Sequence, residues 1–360
     1  MHRWTRCWAR LTRYCHKTSA SYISRTLQHD GRAIRAQRRY TMKLESYFPQ
    51  KAFSQKHLLT LQDWSADEIC QALSLALNLK FKQRNGIPHE LLKGKTLGMI
   101  FTKSSTRTRV SFEVGIQQLG GRALFLSDRD IQLGRGEPIA DTAKVLSRFI
   151  DGIMIRTFAQ SDVEGLAEHG SIPIINGLTD RFHPCQVLAD LMTIYEHKGA
   201  LKGLKLAFIG DGANNMGHSL LLGCSKLGVN IAIGAPKGYH PDPEIVEWAR
   251  GNARESGSEI LLTEDYREAA SGADAVYTDV WSSMGMEAEI SKRKHDFAGC
   301  CVDDALMSAA HDDAIFLHCL PAHRGEEVSA SVIDGPHSVV FDEAENRLHA
   351  QKAVMALLMK

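Results

Sequence analysis

Thr96-Leu97-Gly98-Met99-Ile100-Phe101-Thr102-Lys103-Ser104-Ser105-Thr106-Arg107-Thr108-Arg109 is the stretch on which the fold turns. The apolar run ending at Phe101 is short and uninterrupted, which suits a strand buried on both faces. Past the turn, Val110, Phe112, Val114, Ile116 and Leu119 fit a helix better than a strand. Hydroxyls and two guanidiniums therefore crowd a strand-to-helix turn. A helix start offers unpaired N–H groups and a partial positive charge. Hydroxyl donors and planar arginine forks added there make a site for a phosphate or a similar dianion. A plain Ser/Thr cap is the simpler reading, but a cap needs one hydroxyl and no arginine pair.

The same alternation recurs outward in both directions. A helix is expected over 63–79, with Trp64, Ile69, Leu73 and Leu77 on one side. Strands are expected at 97–101, 123–126, 152–155 and 172–175, with helical patterns at 139–150 and 163–168 between them. A second series has strands at 204–209, 229–233, 259–262, 275–278 and 314–318. Its helices are expected at 216–227, 243–256, 266–271 and 303–310. This pattern predicts an α/β fold of two parallel-sheet domains. Helices join them, with 185–197 as the bridge and 343–358 packing back on the first domain. Ligands of such sheets collect at the carboxyl ends of strands, so the active site is expected in the cleft between the domains.

The 360 residues are 44% hydrophobic, enough for two ordinary domains. Charge is unevenly placed. Residues 1–43 hold eleven of the 43 Lys/Arg and one of the 42 Asp/Glu, Asp30, so the head carries +10 and the remainder −9. A mildly acidic body argues against a nucleic-acid partner. The head is rich in Arg and Ser/Thr, with Trp4, Trp8, Leu11, Tyr14, Tyr22, Ile23 and Leu27 between the charges. That is the composition of a mitochondrial or plastid transit peptide, expected over 1–41, with a disordered basic tail or a nucleic-acid arm as competing readings; the mature chain is expected in the mitochondrial matrix. No long apolar core argues for a secretory signal or a membrane span. Eight cysteines include no CxxC pair, so free thiols are expected and no metal site is indicated.

The remaining polar clusters fall at strand ends. Arg156 closes the third strand, and His183-Pro184-Cys185-Gln186 precedes the bridging helix. Arg156 and a hydrogen-bond-donating His183 suit a polarised carbonyl oxygen beside a bound phosphate. Gln186 can accept from an amide, although taken alone it reads as a helix-surface residue. Gly210-Asp211-Gly212-Ala213-Asn214-Asn215-Met216-Gly217 follows a strand and opens a helix, but its spacing is not GxGxxG, so no dinucleotide is expected. Its two amides suit a small carboxylate; an asparagine cap is the competing reading. Asp279-Val280-Trp281-Ser282-Ser283-Met284-Gly285 offers a charge partner for an amine, or else an Asp-capped surface turn. In His318-Cys319-Leu320-Pro321 the thiol is a nucleophile, a group that orients a ligand amine, or an inert buried cysteine. The sequence leaves these open. Arg347, in the last helix, either reaches back to the anion site or is solvated.

Taken in order, SSTRTR, FHPCQ, GDGANNMG, DVWSSMG and HCLPAHRGEEV resemble the aspartate/ornithine carbamoyltransferase family, and SMG and HCLP are marks of its ornithine branch. The resemblance spans 44–360. It implies a carbamoyl-phosphate-binding domain at 42–183, completed by the helix 343–358, and an ornithine-binding domain at 184–342. It implies that Ser105, Thr106, Arg107 and Thr108 hold the phosphate of carbamoyl phosphate. Arg156, His183 and Gln186 would take its carbamoyl end, with Cys319, Leu320 and Arg347 completing the site. Gln132 would serve the neighbouring subunit of a homotrimer. Asn215, Asp279, Ser283 and Met284 would bind L-ornithine. Catalysis would rest on Arg107, Arg156, His183, Asp279 and Cys319, with no metal or organic cofactor, giving citrulline and phosphate. Aspartate as acceptor would call for extra cations in the second domain, where this chain has Asp279. Putrescine, lacking a carboxylate, would leave Asn215 without a partner. A nicotinamide-dependent oxidoreductase lacks its glycine spacing here, and a non-catalytic binding protein would not need these polar motifs intact.

Overall fold

The computed structural model describes residues 43–129, 131, 136–282 and 289–360. The expected transit peptide and the positions Gln132, Ser283 and Met284 lie outside the described residues. A 3-10 turn, Leu44–Ser46, leads into α1 (Ala66–Arg84). The first sheet is built from β1 (Thr96–Phe101), β2 (Arg122–Ser127), β3 (Gly152–Arg156) and β4 (Ile174–Leu178), alternating with α2 (Thr106–Gln118), α3 (Ile139–Leu146) and α4 (Gln160–His169). After α5 (Pro184–Lys198) comes the second series: β5 (Lys205–Ile209), α6 (Asn215–Leu227), β6 (Asn230–Gly234), α7 (Pro243–Ser256), β7 (Ile260–Thr263), α8 (Tyr266–Ala270) and β8 (Ala275–Thr278). The chain continues through α9 (Ile290–Asp296), α10 (Asp304–Met307), β9 (Ile315–His318), α11 (Ala330–Ile333) and α12 (Val340–Leu358).

Both sheets are parallel, ordered β2-β1-β3-β4 and β7-β6-β5-β8-β9. The α/β expectation of two parallel sheets is met. Chain order reverses between β1 and β3 in the first sheet and between β5 and β8 in the second. Those reversals open crevices at the strands' carboxyl ends, and there the polar motifs emerge.

Strand residues point alternately to two cores. Leu97, Met99 and Phe101 of β1 and Leu206 and Phe208 of β5 join one apolar cluster that runs through α5 and α12. Ile100, Ile153 and Ile155 face a separate cluster outside the first sheet, and Ala207, Ile209 and Val276 one outside the second. Helix α12 binds the halves together. Arg347 donates to Thr108 of α2, and Asn346 accepts from Lys80 of α1 and donates to Thr193 of α5.

Several helix limits differ from expectation for local reasons. Ser65 and Glu68 form a capping box, so α1 begins at Ala66, and Asp63 instead closes a turn by accepting from the Thr60 N–H. Helix α1 then runs to Arg84, before Gly86 at φ 64°. The expected 139–150 helix stops at Leu146, where the Ser147 hydroxyl donates back to the Ala143 carbonyl at 2.6 Å and accepts from the Ser171 N–H at 3.0 Å. The 303–310 helix is a single turn, Asp304–Met307, capped by Asp303.

Candidate active site

The carboxyl ends of both sheets face a cavity of about 490 Å³, a volume suited to small ligands. Of the twelve sequence-predicted site residues that the structure describes, drawn from both halves, none is stranded elsewhere. Ser105, Thr106, Arg107, Thr108, Arg156, His183, Gln186 and Arg347 meet Asn215, Asp279, Cys319 and Leu320 around this one space.

The first wall is cationic. Ser105 caps α2 by accepting from the Thr108 N–H at 3.2 Å, which leaves the turn's other N–H groups toward the cavity. Arg107 donates to the Leu320 carbonyl. That carbonyl is presented by a turn in which Leu320 takes φ 57° and the Leu320-Pro321 peptide is cis. Arg109, the second guanidinium of the motif, does not join Arg107. It lies 3.8 Å over the Phe125 ring at the rim and pairs with Glu113 at 3.5 Å. The arginine partners of Arg107 come from far along the chain instead. Arg347 is 3% exposed, with Nη1 donating to Gln186 Oε1 at 2.6 Å and Nη2 to Thr108 Oγ1 at 3.2 Å. Arg156 is buried at the end of β3.

Their charges act on one another. Burial, then the charges of Arg347 and Arg107, pull the Arg156 guanidinium down to about 10, which still leaves it charged at neutral pH. Burial and the same arginines hold the His183 imidazole far below its ordinary value, so it is neutral. Arg156 Nε and His183 Nδ1 are buried without a partner among the described residues. A cationic wall with unpartnered donors is built for an anion and a polar carbonyl group.

The facing wall is different. Asn214 caps α6 by accepting from the Gly217 N–H at 2.8 Å. Asn215 lines the cavity and donates to the Thr179 carbonyl at 2.7 Å. A Cβ on Gly217 would meet the Gly212 carbonyl oxygen at 2.5 Å, so this glycine serves the close approach of α6 to its own turn. Asp279 emerges from β8 and accepts a hydrogen bond from the Cys319 thiol at 3.1 Å. Burial, then Asp279 and Glu343, push the Cys319 thiol far up, so it stays protonated and is no ready nucleophile. Gln186, which alone reads as a surface residue, is 1% exposed and enclosed by Arg347, Asp190 and Glu343.

Asp279, His318 and Cys319 each place a donor atom within 4.8 Å of the others. Both His318 ring nitrogens are engaged, Nδ1 by the Leu320 N–H at 2.8 Å and Nε2 by Glu327 at 3.1 Å, so the trio is a hydrogen-bonded structure rather than a ready metal site. Sequence reasoning missed Lys103. It lines the cavity at the end of β1, is 7% exposed, pairs with Asp180 and lies 4.0 Å over the Phe158 ring. Its position two residues past a strand, beside the Ser/Thr/Arg turn, was the available signal.

The site has known counterparts. Residues 56–196 match the family described as aspartate/ornithine carbamoyltransferase, carbamoyl-P binding domain, and residues 202–358 match the Asp/Orn binding domain of the same family. An ornithine carbamoyltransferase of Oceanobacillus iheyensis is 59% identical over 315 residues, 88% of this chain and 98% of its own. The solved ornithine carbamoyltransferase of Pyrococcus furiosus is 54% identical with TM-score 0.83, covering 86% of this chain and 98% of its own. A mitochondrial ornithine carbamoyltransferase of Coccidioides immitis is 35% identical with TM-score 0.77, covering 85% and 98%. This chain therefore belongs to the aspartate/ornithine carbamoyltransferase family.

Proposed function

We propose that the cavity carries out carbamoyl transfer from carbamoyl phosphate to the δ-amine of L-ornithine, giving L-citrulline and phosphate. The observation that carries this reading is the pairing of walls: three arginines and a neutral histidine face a carboxylate and a protonated thiol across one space. Carbamoyl phosphate seats its phosphate on the start of α2, with Ser105, Thr106, Arg107 and Thr108. Arg156, His183 and Arg347 face the carbamoyl oxygen, and Gln186 its amide. Ornithine lies toward Asn215 and Asp279, and Ser283 and Met284 belong to its binding set. The neutral amine attacks the carbonyl carbon, a C–N bond forms, and charge builds on the carbonyl oxygen, where Arg156 and His183 stabilise it. The C–O bond to phosphate then breaks, and phosphate leaves with the electron pair while the amine nitrogen sheds a proton. Holding two small charged substrates together supplies much of the rate, with no cofactor needed. A citrulline-formation assay with ornithine, aspartate and putrescine as acceptors tests it; citrulline only from ornithine is expected, and a preference for either other acceptor refutes it.

The working form is a homotrimer in this reading. Leu124 and Phe125 on the edge strand β2 and Val110 on α2 are exposed, and Phe125 also borders the cavity. Further copies seated on that face would cover the edge and bring Gln132 to a neighbour's cavity. Light scattering should give three times the chain mass. Residues 1–41 direct import into the mitochondrial matrix. Support comes from the +10 charge of 1–43, ahead of the matched residues 56–358, and from the Coccidioides relative, itself titled mitochondrial. No helix of the described residues is long and apolar enough to cross a membrane. A uniformly cytosolic reporter fused behind the head would reject the import reading.

A further inference from the structure

One carboxylate joins the two walls of the cavity without lining it. Glu343, in the first turn of α12, is 1% exposed. Its Oε1 accepts from Gln186 Nε2 at 2.9 Å and from the Tyr277 hydroxyl at 3.2 Å, and its Oε2 accepts from the His318 backbone N–H at 2.9 Å. Gln186 belongs to the cationic wall. Tyr277 stands on β8 two residues before Asp279, and His318 ends β9 immediately before Cys319. One turn further along α12, Arg347 donates to Gln186 Oε1 at 2.6 Å. The two hydrogens of the Gln186 amide are then taken by Glu343 and by Asp190 Oδ1 at 2.8 Å. No freedom is left in the orientation of that amide.

We infer that Glu343 is a positioning residue, the charged partner of a neutral Asp190, which fixes the spacing between Gln186 and the strand ends that carry Asp279 and Cys319. The inference rests on the carbamoyl-transfer reading and adds to it a residue that touches neither substrate. Glu343 receives three N–H or O–H donors, which favours its ionised form. Asp190 receives one, and its buried Oδ2 faces no donor among the described residues. Lacking a donor to hold a negative charge there, that oxygen is the one that keeps the proton. Burial, then the charge of Glu343, push Asp190 far above the usual carboxyl range, whereas Glu343 rises only to about 6. Two buried carboxyls that share one amide nitrogen, Gln186 Nε2, do not both ionise readily. Near-attack geometry depends on sub-ångström spacing, so a tie between the walls acts on rate more than on affinity.

The experiment compares Glu343→Gln, Asp190→Asn and wild type in citrulline formation, with thermal melting as the check on folding. Glu343→Gln turns an NH2 group toward a donor, whichever way it lies. Its kcat is expected to fall about 10–100-fold, while the KM for carbamoyl phosphate stays within about fivefold. Asp190→Asn keeps a donor where the acid O–H was, so its kcat is expected within about threefold of wild type. A Glu343→Gln enzyme with wild-type kcat overturns the inference, as does an Asp190→Asn enzyme that loses more than about tenfold. Should Glu343→Gln fail to fold, the Asp190→Asn rate decides alone. A wild-type chain that makes no citrulline counts instead against the assigned reaction.

Discussion

The two walls of the cavity solve opposite electrostatic problems. On the first, burial and the mutual repulsion of Arg107, Arg156 and Arg347 pull the guanidiniums of Arg156 and Arg347 down from their ordinary value. On the second, the Cys319 thiol donates to Asp279, and off the cavity lining Asp211 pairs with Arg293 at 2.6 Å. The contrast teaches how one space sorts two substrates. A dianion gains most where cations repel one another, and an ammonium group gains most beside carboxylates. Each wall also rejects the other's ligand.

The largest break in this contrast is Arg107→Ala. Truncating a buried partner of a charged ligand typically costs about 2–5 kcal/mol, so kcat/KM for carbamoyl phosphate should fall about 30- to 5,000-fold. The ligand-free protein should not lose melting temperature, because a like charge near Arg156 has gone. An unchanged affinity by calorimetry would remove Arg107 from the anion site. Next comes Asp279→Asn, which should weaken ornithine about 10- to 100-fold, as for loss of a hydrogen bond to a charged group. Carbamoyl phosphate affinity should stay as it was; equal loss of both would mean the walls are not separate. Smaller still is Cys319→Ser. The hydroxyl keeps a donor toward Asp279, so activity should remain within about tenfold, with poorer ornithine binding. A carbamoylated Cys319 trapped by mass spectrometry with carbamoyl phosphate alone would overturn the direct transfer.

The smallest effect is on stability. His183 has a folded pKa below its unfolded value of about 6.5. As pH falls below that value the unfolded chain takes up a proton that the folded one refuses, so this contribution to stability is present above about 6.5 and lost on acidification. His183→Gln should therefore lose less stability than wild type between pH 7 and 5, by at most roughly 2 kcal/mol in chemical denaturation. Parallel curves for the two proteins would show that His183 titrates normally.

The strands were legible in the sequence because central parallel strands covered on both faces, such as β1, β3 and β5, read as unbroken apolar runs, and the exposed edge strand β2 keeps the same apolar character. Helix limits were less so. The stop at Leu146 depends on Ser147 and Ser171, which are distant in sequence, and a Ser after an apolar stripe carries no such message alone. Motif residues at strand ends, such as Arg156 and Asp279, announced themselves by position. For Arg347 and Cys319 the residues left a site role and a bland one both open, and only the family resemblance chose between them. Gln186, Asp190 and Glu343 were opaque for a physical reason: polar residues at helical spacing usually mark a solvated face, and nothing local reveals that several helices bury these together. Arg109 misled in the opposite sense, since an aromatic ring on the neighbouring strand captured it.

The position of α12 has a consequence for the order in which the protein can be made. Thr108 meets Arg347 across 239 residues of chain, and Gln186 meets Glu343 across 157. On a ribosome, which delivers the chain from its N-terminus at about 5–20 residues per second, the phosphate cradle emerges with its arginines unopposed and its amide unheld. Only the closing helix supplies what completes it. Function is thus the last property this polypeptide acquires, since a chain cut short before that helix lacks both Arg347 and the carboxylate that holds the Gln186 amide.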